Sequence, residues 1–463
     1  MKFSKKDGLR GYFQSPAVKL GMYRLLFITL LFPTLLLRAQ PSRHVILITI
    51  DGMRPEFYED PAWPAPNLQH LMQEGAYAIR MRPVFPTVTL PNHTTMITGA
   101  LPARHGVYYN QPFNPLATGM SWNFFANIIR VPTLFDAVHA TGKVTAAIDW
   151  PVTVGSPSID YNFPDYWGFS DTTDNIALIR SGVHPAGLWD ELEQNALGKV
   201  PSEEINSDGL LRTDENAGRI AAYLIRRYKP TFTAFHITET DHAQHEEGRE
   251  GYFVRTAVAA ADRAVGDVLE AVERAGIKDS TTIIIAGDHG FANIHSVLFP
   301  NVCLAQAGLF QKGANWRAKF QSASGSCFLY LQDRHDTKTL MAVKDLLARL
   351  PEKYKSLFRV LDRPELDRLG VDSAAFLALA PTVGIAIGNS GEGEVLRGAH
   401  GGTHGFMNDE PEMMTGFIAY GAGIRKGVVL HEMQTQNIAP LVAKLLGITF
   451  ICPDGILYPG ILR

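Results

Sequence analysis

The chain has 463 residues, 46% of them hydrophobic and 19% charged, with a formal net charge of −3 and a pI near 6.6. That is enough apolar chain for one large globular domain with an insert, and it lacks the basic stripe that a general binder of nucleic-acid polyanions needs. Three cysteines, Cys303, Cys327 and Cys452, exclude a disulfide scaffold, because an odd count leaves a thiol free in an exported chain; Cys303 with Cys327 is the expected pair if one forms.

At the amino terminus Lys5, Lys6, Arg10, Lys19 and Arg24 precede the apolar run Leu25 to Phe32, and Ala39 stands just before the expected cut. A basic region, a short apolar region and a small residue predict a secretory signal peptide over residues 1–39 and a periplasmic or secreted protein. The run is short and interrupted by Pro33, so a membrane span is not expected; an uncleaved anchor is the alternative, and Met22 is an alternative start. No cysteine follows the run, so no lipid anchor is expected.

Val45 to Ile50 is a six-residue, β-branched run closed by Asp51 and Gly52. It predicts a buried parallel strand, and an aspartate at its carboxyl end stands where open α/β sheets place ligands. A turn or cap aspartate is the alternative for Asp51 taken alone. A helix is predicted over Asn67 to Glu74. Next comes FPTVTLPNHTTMITG, Phe85 to Gly99, which sets the Thr89 hydroxyl between prolines at a helix start. Helical periodicity recurs over Asp214 to Arg227 and Thr256 to Ala275.

Between those helices Thr231 to Ile237 predicts a strand, followed by Asp241 and His245 at a spacing of four. The charges of Glu246, Glu247, Arg249 and Glu250 read as a solvated loop. TTIIIAGDHG, Thr281 to Gly290, is another strand, ending in Asp288 and His289. A β-α-β-β stretch, SCFLYLQ to AFLALAPTVGIAIG, then predicts an inserted small subdomain over 296–397. His404 sits among glycines, which permit close approach to a ligand. The strand Gly416 to Ile424 and a helix near Ile438 to Leu446 complete the main domain, 43–295 and 398–463. Alternating strands and helices predict an α/β fold, with a mostly parallel sheet covered on both faces.

Three carboxylates, three imidazoles and one hydroxyl thus fall in loops after strands or beside glycines. Zinc accepts histidine nitrogen and carboxylate oxygen, seven ligands suit two ions, and a metal pair can activate a hydroxyl while stabilising charge on a transferring phosphoryl group. Manganese and iron accept the same donors.

The local texts IDGMRPEF, FPTVTLPNH, TDHAQH, GDHG and THGFMND, in this order, resemble the alkaline phosphatase superfamily, and within it the nucleotide pyrophosphatase/phosphodiesterase family, from about His44 to about Ile424. The resemblance implies an alkaline-phosphatase-like three-layer fold and two Zn2+, one held by Asp241, His245 and His404 and the other by Asp51, Thr89, Asp288 and His289. It implies that Thr89 is the nucleophile of a phosphodiester or pyrophosphate hydrolysis passing through phosphothreonine. Asn110 would hold a phosphoryl oxygen together with backbone N–H at the nucleophile.

Small phosphorylated substrates, nucleotides or other diesters, are the expected partners. Leu90 stands where the family has an aromatic side chain. Trp150, Tyr166 and Trp167, from AIDWPVTVGSPSIDYNFPDYW, are candidate substrate contacts, a stacked base gaining about 1–3 kcal/mol; ordinary core or loop aromatics are the other reading of these tryptophans. No Lys or Arg neighbours Thr89 or Asn110, which favours a diester over a monoester. A monoesterase or phosphonoacetate-hydrolase-like enzyme on the same site is the second reading, and a non-catalytic binding protein the third. His93 and His105 read as packing or hydrogen-bonding histidines, and His242 and His295 as surface histidines near proposed ligands.

Overall fold

The computed structural model describes residues 42–115, 121–169, 173–199, 211–311, 313 and 316–463; the signal peptide expected over 1–39 lies outside them. Among the described residues no helix is long and apolar enough to cross a membrane.

Strands β1 (His44–Ile50), β2 (Ala76–Arg82), β3 (Thr145–Ile148), β4 (Tyr161–Phe163), β5 (Phe232–Ile237) and β6 (Thr281–Gly287) share a nine-stranded sheet with Thr415–Gly421, Val428–Leu430 and Met433–Gln434. Across it the order is Val428–Leu430, β2, Thr415–Gly421, β6, β1, β5, β3, β4, with Met433–Gln434 also paired to β2. From β6 to β4 every pairing is parallel. Thr415–Gly421 is the antiparallel strand of this mostly parallel sheet, running against both β6 and β2. The cause is topological: the chain leaves the sheet at the carboxyl end of β6, comes back at the same edge, and must run down the sheet from there.

Alternation along β1 sends Ile46, Ile48 and Ile50 into one apolar cluster and Val45 and Leu47 into another on the opposite face. The first is covered by helices Leu211–Tyr228 and Tyr252–Arg274, the second by Thr89–Thr98, Leu134–His139 and Ile438–Leu446. This is the expected α/β layering.

Register aligns the strand ends: Ile50 pairs with Ile237 on one side and with Gly287 on the other. The residues that follow, Asp51, Thr238 and Asp288, therefore emerge together at one edge.

The segment after β6 builds an antiparallel four-stranded sheet ordered Phe358–Leu361, Ala378–Pro381, Cys327–Leu331, Ala318–Ser322, with helix Thr337–Ala348. The strand Ala318–Ser322 was not legible from AKFQS. Cys303 and Cys327 lie in one apolar cluster here, yet the expected pairing is not made and all three thiols are free. Burial raises both thiol pKa values, and each side chain packs as a small apolar group.

Candidate metal centre

Three adjacent strands deliver the acids. Asp51 follows β1 and Asp288 follows β6, and Gly52 N–H donates to Asp288 Oδ1 at 3.1 Å. Asp241 and His245 are not in a loop, as the sequence reading has them, but on helix Glu239–Glu247, where a spacing of four puts them on one face. His245 Nε2 stands 3.3 Å from Asp241 Oδ2. His404 arrives from the far side of the insert, its Nε2 3.6 Å from Asp241 Oδ1. Gly405 beside it has φ +90, and a Cβ there would sit 1.9 Å from Ala323 O, so the close turn requires glycine.

His289 lies at the middle. Its Nε2 is 3.2 Å from Asp51 Oδ1, 3.3 Å from Asp288 Oδ2, 3.5 Å from Thr89 Oγ1 and 3.9 Å from Asp241 Oδ1. Its ring stacks on His404 with centroids 3.7 Å apart. Two groupings result, Asp51 with Asp288 and His289, and Asp241 with His289 and His404. All seven sequence-derived positions converge, although the second grouping holds His289 and not His245.

Each histidine is oriented by its other nitrogen. Nδ1 of His289, His404 and His245 donates to the carbonyls of Gly290 (3.1 Å), Thr87 (3.0 Å) and Gly402 (3.0 Å). In His404 and His245 a proton fixed on Nδ1 leaves Nε2 as a lone pair facing the cluster, which is how proteins present imidazole to a metal, whereas against burial the Asp288 and Asp51 carboxylates raise His289 to about 10. Burial lowers the pKa of His404 and of His245, keeping those rings neutral.

The acids are under electrostatic stress. Burial and the Asp51 carboxylate push Asp241 well above the carboxylate range and Asp288 up to about 7. Against burial, the neighbouring His236 and His289 imidazoles hold Asp51 well below it. Asp51 Oδ1, Asp241 Oδ1 and Asp288 Oδ2 are buried with no hydrogen-bond donor. Three buried carboxylate oxygens facing three imidazole Nε2 atoms are a donor set that a divalent cation fits, an ion taking the place of the His289 proton, and without either the arrangement would cost on the order of several kcal/mol.

Thr89 opens helix Thr89–Thr98, all ten residues of which are buried. Asn110 locks this end: Leu90 N–H donates to its Oδ1 at 2.9 Å, and its Nδ2 donates to Thr89 Oγ1 at 3.4 Å. A buried relay missed in the sequence joins Thr89 to Asp51. His93 Nδ1 donates to Thr89 O (2.9 Å), His93 Nε2 lies 3.0 Å from His236 Nδ1, and His236 Nε2 lies 3.3 Å from Asp51 Oδ2. Thr49 Oγ1 bridges both rings at 2.8 and 2.9 Å. His236 is the fifth residue of β5, and a histidine inside an apolar strand was the signal available for it.

A cavity of about 680 Å³ opens from the centre, lined among others by Leu90, Tyr166 and Trp167. Trp150 requires correction: it is fully buried in the sheet core, edge-on to His93 at 4.9 Å, and the cavity does not reach it. His242 lines the cavity, whereas His295 is an exposed residue bonded to Ser296 Oγ. Trp122, Asp149, Asp165, Trp189 and Glu239 also line it and were not singled out. Asp149 was within reach, because it closes β3 as Asp51 closes β1.

The type I phosphodiesterase / nucleotide pyrophosphatase family model matches residues 45–407. Ectonucleotide pyrophosphatase/phosphodiesterase family member 7 of Rattus norvegicus is 24% identical over 445 residues, covering 92% of this chain and 87% of the relative. A bis(5'-adenosyl)-triphosphatase of Xenopus laevis is 22% identical, covering 88% and 78%. The solved structure of human ectonucleotide pyrophosphatase/phosphodiesterase 5 superposes with a TM-score of 0.65 at 16% identity, covering 89% of this chain and 97% of that one, which establishes the shared fold.

Proposed function

The chain belongs to the type I phosphodiesterase / nucleotide pyrophosphatase family, and from that premise we propose that it is an exported hydrolase of phosphate diesters or pyrophosphates with Thr89 as nucleophile. Two divalent ions, taken as Zn2+, would be held by Asp51, Thr89, Asp288 and His289 and by Asp241, His245 and His404. When bound they supply Lewis acidity toward the phosphoryl oxygens and lower the pKa of a hydroxyl or water. The observation that carries the reading is the set of three donorless carboxylate oxygens and three inward imidazole nitrogens around the Thr89 hydroxyl.

The chain's own groups have distinct tasks. Thr89 Oγ1 attacks phosphorus, and the alcohol or phosphate on the opposite side departs, leaving a phosphothreonine that water then hydrolyses. Two in-line displacements give net retention at phosphorus. Asn110 Nδ2, already aimed at Thr89 Oγ1, donates to a non-bridging phosphoryl oxygen as charge develops there. The His93–His236 relay holds the start of the Thr89 helix and the Asp51 carboxylate in fixed relation.

Among the described residues no Lys or Arg lines the cavity, so no basic side chain there offsets the second negative charge of a monoester. This supports the diester reading over the monoesterase and phosphonate alternatives. The test is turnover of bis-p-nitrophenyl phosphate by the zinc-loaded protein. Chelation should abolish it and zinc restore it, and Thr89→Ala should abolish both turnover and acid-trapped phosphoprotein. Full turnover by Thr89→Ala would sink the assignment.

A further inference from the structure

We propose that the part of the cavity beyond Thr89, walled by Asp149, Asp165, Glu239 and Trp189, binds a protonated amine on the substrate, so that the substrate class is a phosphodiester whose alcohol carries an N–H cation. The proposal rests on the phosphodiesterase reading above and narrows it.

Charge comes first. Among the described residues, three carboxylates besides Asp51 and Asp241 of the proposed ligand set line this one cavity and no lysine or arginine does. Asp149 follows β3 and Asp165 follows β4, so the carboxyl edge that carries Asp51 and Asp288 continues as an acidic row into the neighbouring strands. Among the described residues neither makes an ion pair; Asp165 takes a hydrogen bond from Trp167. Burial pushes Asp165 up to about 6 and, with Asp165 adding to it, Asp149 well above the carboxylate range.

Hydrogen bonding specifies the cation further. Glu239 is 3% exposed and its Oε1 is buried without a donor, while Trp189, also 3% exposed, has a buried Nε1–H without an acceptor. Both line the cavity. A buried acceptor left without a donor costs about 1–3 kcal/mol. An ammonium N–H satisfies Glu239, which a quaternary ammonium cannot, and an oxygen of the same substituent can take the Trp189 proton. Tyr166 and Trp167 add aromatic faces that favour a cation.

A nucleotide fits these walls less well. Additional phosphates meet carboxylates with no Lys or Arg among the described residues of the lining, and Leu90, 1% exposed and packed on Val107 and Val152, offers no ring opposite Tyr166 or Trp167.

The test uses the zinc-loaded protein and four esters sharing a p-nitrophenol leaving group: 2-aminoethyl, propyl, choline and thymidine-5' p-nitrophenyl phosphates. Expected is a kcat/KM for the 2-aminoethyl ester at least tenfold above its propyl isostere and above the choline ester. In Asp149→Asn and Asp165→Asn the aminoethyl-to-propyl ratio should fall toward one; measured within each variant, that ratio cancels any general loss of activity. An aminoethyl-to-propyl ratio near one in the wild type overturns the subsite while leaving the phosphodiesterase reading standing. A choline or thymidine ester that matches or outruns the aminoethyl ester overturns it too. No turnover of any ester overturns both readings.

Discussion

His105 ends its short helix as a fully buried imidazole, accepting from Val107 N–H through Nδ1 at 3.1 Å and facing Thr95 Oγ1 with Nε2 at 3.1 Å. Burial lowers its pKa to about 3, so below the unfolded value near 6.5 the unfolded chain binds a proton that the folded chain refuses. Its stabilisation is complete above about pH 6.5 and drains away as pH falls toward 3, up to about 4–5 kcal/mol in all. Urea midpoints measured from pH 7 to pH 4 should therefore fall less steeply in His105→Gln than in the wild type. Asn110→Ala belongs to the same scale: loss of one positioned donor should lower kcat by about 10²–10³ with zinc content unchanged, read by diester kinetics and metal analysis. Sequence context already marked His93 and His105 as packing histidines. Only the fold shows that His93 faces Thr89 and Asp51 through His236, because that relay needs β1, β5 and the Thr89 helix in contact.

Helix Pro66–Glu74 starts without a side-chain cap of its own. Asp262, from the middle of helix Tyr252–Arg274, supplies one, accepting from Asn67 N–H (3.1 Å), Leu68 N–H (2.8 Å) and Asn67 Nδ2 (2.9 Å). A carboxylate at a helix amino end both fills orphan donors and meets the dipole. Asp262→Ala should destabilise the protein by about 2–3 kcal/mol, seen as a lower urea midpoint at unchanged m-value. Both helices were legible from periodicity, the cap between them was not, since it joins residues 195 apart. The same limit explains the Glu246 to Glu250 run. Arg249 Nη1 donates to Phe291 O at 2.6 Å, and Arg249 also pairs with Glu56, while Glu247 accepts Phe253 N–H at 2.8 Å to cap the following helix. Glu246 and Glu250 face solvent as read, while Arg249 and Glu247 anchor the loop beyond His245.

Across the whole molecule, the proposed metals would act as folding ligands. Any ion bound to the native state alone adds RT ln(1 + [L]/Kd), about 2.7 kcal/mol at a hundredfold excess over Kd, and here it also relieves three buried carboxylates. Chelation should lower the thermal midpoint by several degrees, zinc should restore it, and Asp288→Asn should blunt the response; a midpoint indifferent to chelator would contradict a metal held by this edge. The sequence by itself determined the strand-then-acid grammar, Thr89 at its helix start, the α/β class and the seven residues of the proposed centre, because short apolar runs closed by Asp-Gly or Asp-His encode strand ends locally. Tertiary structure alone decided the register that brings Ile50, Ile237 and Gly287 level, the antiparallel return that delivers His404, the burial of Trp150, and the cavity acids Asp149, Asp165 and Glu239. Those depend on which strands become neighbours, and pairing across the sheet is a property of the packed chain that no local spacing contains.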